Sequence, residues 1–71
     1  MDEKTMHFVI FCVGNVADAL QISERETYNR MMRSGIIRSY IEPCYDVLHT
    51  FSREYIVEDL IDLMRKKGVA A

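Results

Sequence analysis

Asp46 and His49 stand three residues apart in a segment with helical spacing, which puts a carboxylate and an imidazole on one face. Such a pair can hold a metal ion or move a proton. In helical di-metal proteins, however, the acid-x-x-His pair is repeated and joined by carboxylates from other helices. Here it occurs once. A zinc site needs four ligands, or three and a water, and Cys44, Asp46 and His49 do not converge readily on one ion. The reading adopted for His49 is a structural cap, its ring donors meeting the free carbonyls at a helix carboxyl end. A metal or hydrolytic site at Asp46 and His49 ranks last among the readings.

Nucleophilic catalysis requires an activated Ser, Cys or Thr beside a base, together with donors for an oxyanion. Cys44 and His49 are five apart, an awkward spacing on one helix. Gly14, Gly35 and Gly68 are isolated, so no glycine-rich loop offers backbone donors to an oxyanion or a phosphate. His7, in the first turn of the opening helix, receives no role. These residues describe a chain that is not an enzyme and uses neither metal nor cofactor.

Charge offers more. Arg25, Arg30, Arg33 and Arg38 form a basic group, interleaved with Glu24, Glu26 and Glu42. A helix, a glycine turn and another helix in this region also suggest a helix-turn-helix that would set Arg30, Arg33 and Arg38 against DNA. The net charge of −2 and the interleaved acids weaken the field that such a reader needs, so nucleic acid is the alternative partner and not the favoured one. Glu54, Glu58 and Asp62 recur every four residues as an acidic row of opposite sign. Complementary surfaces of this kind could steer two copies, or this chain and a different protein, into register. Met31 and Met32 beside the arginines would suit an adaptable contact.

The elements that must position these residues are bounded by length. The 71 residues form one domain, 1–71, with an ordered core expected over about 5–67. A chain this short hides only about 60% of its unfolded surface, so its margin of stability is thin. Two cysteines, Cys12 and Cys44, make no CxxC pair, and Cys12 within Phe8 to Val13 reads as a small buried hydrophobe. A Cys12–Cys44 bridge is not indicated, and a reducing cytoplasm is the expected location. The mixed charges of Met1 to Lys4 do not form a targeting sequence. The apolar run behind them stops at Gly14 and Asn15, short of the roughly 20 residues of a membrane span.

Periodicity predicts an all-α, compact four-helix domain. Over Thr5 to Gln21, Met6, Val9, Ile10, Val13, Ala17 and Leu20 make an apolar stripe, and Phe8, Phe11, Cys12 and Val16 widen it until little polar face remains. A strand over residues 8–13 is the rival, but it would lack a comparable partner strand. Ser23 and Glu26 spell a capping box for a second helix that carries Tyr28, Met31 and Met32 inward and stops at Gly35. The third helix, Ile36 to Thr50, is expected to kink or break near Pro43, with Pro43 in the first turn of its second piece. Ile37, Tyr40, Ile41, Cys44, Val47 and Leu48 keep helical spacing through the break. The fourth runs from an N-cap at Ser52 to Gly68, with acids early and Arg65, Lys66 and Lys67 late, as the helix dipole favours.

A first helix so apolar must be central or covered by another chain. The expected function is therefore a non-enzymatic protein-interaction module that self-associates as a homo-oligomer or binds a larger protein. Its surface is expected to draw on Phe8, Phe11, Arg30, Arg33, Arg38, Glu54, Glu58 and Asp62, with Ser23, Glu26, His49 and Ser52 as structural caps.

The segments Tyr45-Asp46-Val47-Leu48-His49-Thr50 and Glu54-Tyr55-Ile56-Val57-Glu58-Asp59-Leu60 resemble a family of small bacterial proteins of unknown function, domain of unknown function 3791. The similarity runs from Phe8 to Met64, and Pro43 departs from the helix former expected there. The resemblance implies a helical stand-alone bacterial domain with no established activity or functional residues. It further implies an antitoxin-like or regulatory partner of a larger protein, because such proteins are associated with ADP-ribosyltransferase-like neighbours.

Overall fold

A computed structural model describes residues 1–70. The chain is all-helical: α1 Glu3–Leu20, α2 Glu24–Arg33, a π-helical turn Ile37–Ile41, α3 Tyr45–Leu48 and α4 Arg53–Lys66. The residues 8–13 that could have formed a strand lie inside α1. The Cα radius of gyration, 10.8 Å, is close to the roughly 11 Å expected for a folded chain of this length. These helices therefore pack as one body.

Each long helix begins on a side-chain cap. Asp2 accepts from the Thr5 amide at 2.8 Å, Ser23 from the Glu26 amide at 3.0 Å and Ser52 from the Tyr55 amide at 3.1 Å. The reciprocal half of the box at α2 is not made. Glu26 turns its carboxylate instead to the Arg30 guanidinium, 2.9 Å away, because an ion pair one turn along outcompetes a neutral backbone donor. At the far end of α1, Gln21 adopts φ 59°, a left-handed conformation that costs a residue with a Cβ. Its side-chain and backbone amides both donate to the Asp18 carbonyl, at 2.7 and 3.3 Å, and the Ile22 amide closes on Ala17, so three bonds hold the turn. The axis then swings by 112° into α2.

The core has α1 at its centre. Phe8, Val9, Cys12, Val13, Val16 and Ala17 are buried there, all but Ala17 in one cluster with Met31 of α2, Ile36 just before the π turn, Ile37 and Ile41 within it, Leu48 of α3, and Ile56, Leu60 and Met64 of α4. Two residues expected to face the core do so on neither helix. Tyr28 points outward from α2, and Val47 is exposed on α3.

Between Gly35 and Thr50 the chain forms two short elements, the π turn and α3, on either side of Pro43. Gly35 reverses the chain at φ 83°, where a Cβ would be strained. The Glu42 amide then bonds the Ile37 carbonyl five residues back. Proline lacks an N–H and its ring collides with the carbonyl four residues earlier. Widening the preceding turn to π geometry moves that carbonyl aside, and α3 starts only after the break, with Cys44 as its N-cap. Pro43 thus precedes α3 and does not form its first turn.

Tyr40 ties the π turn to α4 by donating its phenol to the Asp59 carboxylate at 2.5 Å. Burial, that hydrogen bond and the Asp59 charge all push the Tyr40 phenol above the ordinary tyrosine range. Its folded value exceeds its unfolded one, so its contribution to stability is complete below about pH 10 and falls as pH rises beyond it. Tyr40→Phe is expected to cost about 1–2 kcal/mol at neutral pH and to flatten the decline above pH 10, read from urea unfolding across pH. Desolvation pushes the fully buried Cys12 thiol up to about 12, whereas Cys44 is half-buried. A thiol reagent should therefore modify one cysteine rapidly in the native protein and two in denaturant. Rapid loss of both would contradict this packing.

Candidate interaction surface

The outer strip of α1 is the part of the core helix left uncovered. Met6 is 46% exposed, Ile10 58% and Phe11 40%, while their neighbours Phe8, Val9 and Cys12 are buried. Helical geometry makes this unavoidable. The apolar arc of α1 is wider than α2, α4 and the short elements together can cover. Met6 and Ile10 lie one turn apart and line a groove of about 480 Å³ between α1 and α2, walled by Met1, Val9, Val13 and the outward-facing Tyr28. Glu24 and Arg25 stand at its rim. Apolar walls with a few polar groups at the edge describe a seat for a side chain or helix of another protein.

The residues named from sequence divide. Phe8 is not on the surface. It is buried, stacking at 6.1 Å beneath the exposed Phe11 ring and meeting Tyr45 edge-on at 5.4 Å. Phe11 is thus held from within. Sequence reading placed Ile10 and Met6 in the core stripe and so missed them as surface residues. The signal that could have found them was the width of the stripe, since one arc that wide must leave an edge outside.

The arginines do not form a free basic face. Arg30 is half-buried, pairing with Glu26 and donating to the Val69 carbonyl at 3.2 Å, so it fastens the chain end to α2. Arg33 reaches the same Glu26 at 4.0 Å. The Arg30 hydrogen bond, more than its charge alone, holds the Glu26 carboxyl below its usual range. Arg38 is exposed on the π turn. On α4, Glu54, Glu58 and Asp62 share an exposed face. Glu54 lies 3.4 Å from Arg53, and Asp62 lies 3.6 Å from Arg65.

At the end of α3, the His49 ring stacks on Tyr45 with centroids 4.5 Å apart, and its Nδ1 lies 2.7 Å from the Tyr45 carbonyl. That contact assigns the proton to Nδ1, since a carbonyl only accepts. Among the described residues, no group of three His, Cys, Asp or Glu side chains is placed to hold a metal ion. No single helix there is long and apolar enough to cross a membrane.

No curated protein and no solved structure matches the chain. One family model does, over residues 7–67, and its span takes in α2, the π turn, α3 and α4 entire, with α1 from its fifth residue onward. The chain belongs to the family described as "Protein of unknown function (DUF3791)".

Proposed function

We propose that this chain is a non-enzymatic protein-interaction module that offers the outer strip of α1, and the groove beside it, to another protein surface. The observation that carries the reading is the exposure of Met6, Ile10 and Phe11 on a helix whose opposite face is the domain's core. Leaving three large apolar side chains half in water forgoes about 1 kcal/mol for each that a partner could cover. The resemblance seen in the sequence extends the reading to an antitoxin-like or regulatory partner of a larger bacterial protein. Two free thiols suit a reducing cytoplasm. We read the π turn and α3 as one helix interrupted at Pro43, so that the interacting unit is a four-helix domain.

The helix-turn-helix alternative draws on Arg30, Arg33 and Arg38. It ranks second because Glu26 and the Val69 carbonyl already occupy Arg30, and a guanidinium so engaged is costly to redirect to phosphate.

Photo-crosslinking in the native cell separates the readings. With a benzophenone side chain in place of Ile10, a discrete higher-mass adduct is expected, and with the same group in place of Glu58, none. Ile10→Glu should abolish co-purification of the captured chain while leaving helical content and melting temperature unchanged, because the side chain lies outside the core. Equal labelling at positions 10 and 58, or a crosslink to DNA only, would overturn the proposal.

A further inference from the structure

Three features of α1 break the rules of a solvated helix, and all three lie on one ridge. Phe11 is exposed yet held by Phe8 beneath it. Gly14, three residues on, sits mid-helix with nothing within 4 Å of where a Cβ would be, so packing inside the domain does not require glycine there. The last turn carries Asp18 and no basic residue, the wrong sign for a carboxyl terminus. Lys4 and His7, both exposed, occupy the amino-terminal end of the same ridge. The spacing 4, 7, 11, 14, 18 alternates by three and four, the seam of a helix pair. Places where local rules fail together are expected to be functional.

We infer that the partner of this surface is a second copy of the chain, with the two α1 helices crossing antiparallel so that Phe11 of each seats over Gly14 of the other. This inference rests on the interaction reading above and names its occupant. Charge complementarity selects that occupant. Antiparallel crossing brings Asp18 of one copy beside Lys4 and His7 of the other, twice by symmetry, whereas parallel crossing sets lysine on lysine and aspartate on aspartate. It also places each Asp18 near the positive end of the opposing helix dipole, repairing the mismatch at its own helix end. The glycine lets the backbones approach closely enough for the aromatic ring to be buried. A crossing of two helices this long offers on the order of 1,000 Å² in total, the low end for specific association, so the dimer is a weak and reversible one.

Sedimentation velocity of the purified full chain over a wide concentration range tests this directly. The wild type is expected to pass from monomer to dimer in the micromolar to submillimolar range. Gly14→Lys meets no neighbour in the monomer, so it should raise the melting temperature by a few degrees through helix propensity. It should also weaken the dimer at least about tenfold by filling the notch. Asp18→Lys should weaken it by a similar factor, and Asp18→Lys combined with Lys4→Glu should restore it to within about threefold. That restoration is diagnostic, since a parallel pair would gain nothing from the double exchange. A wild type that stays monomeric throughout, or a dimer indifferent to Gly14→Lys and to the charge exchange, overturns the inference. A monomer that still crosslinks through position 10 to a different protein would sink self-association and leave the interaction module standing.

Discussion

The structure depends on one helix serving as the common wall of everything else. α2 and α4 pack along α1, the π turn joins the same cluster chiefly through α2, α3 meets α1 through Tyr45 and Phe8, and none packs a core of its own. A chain of this size has too few elements to close around such a helix completely. The same constraint thus supplies both the stability and the unfinished surface. Six residues of α1 are buried, and the edge of the same stripe, at Met6, Ile10 and Phe11, is left in water.

Secondary contacts all hold that arrangement in place. Tyr40 and Asp59 pin the π turn to α4, and Arg30 links α2 to the Val69 carbonyl just beyond α4. Neither lies near the α1 strip in sequence, and both use groups that a catalytic or phosphate-binding site would want free. His49 is similarly committed, its ring stacked on Tyr45 and hydrogen-bonded to the carbonyl of the same residue. These three polar contacts serve architecture, while the outer strip of α1 is left apolar.

Local rules made much of this legible from the sequence. Ser23 and Ser52 start their helices because a serine followed by a run of helix formers has an oxygen in reach of an orphan amide three residues on. Gly35 ends α2 because only glycine enters that conformation freely. What escaped was set by competition or by distance. Glu26 could reach its own cap or Arg30, and spacing does not say which wins. Pro43 announces a break, but whether the chain kinks, widens into a π turn or starts anew depends on what Ile37 and Ile41 must pack against. Tyr40 and Asp59 are 19 apart, Arg30 and Val69 are 39 apart, and no periodicity links them. The surface was read too broadly for a related reason. The width of the α1 stripe shows that an edge must be exposed, but which residues form it depends on where α2 and α4 settle, so Phe8 was placed outside and Ile10 inside.

The central claim is that the outer strip of α1 is a contact surface for a second copy of the chain and not a tolerated defect. Solvent paramagnetic relaxation, with a gadolinium chelate and NMR of the Ile10 methyls and Phe11 ring, tests it over a dilution series. The account predicts strong relaxation of both groups in dilute protein and loss of that relaxation at high concentration, with the Glu58 face unchanged. Relaxation of Ile10 and Phe11 that stays constant across the series, or protection that appears first on α4, would contradict it.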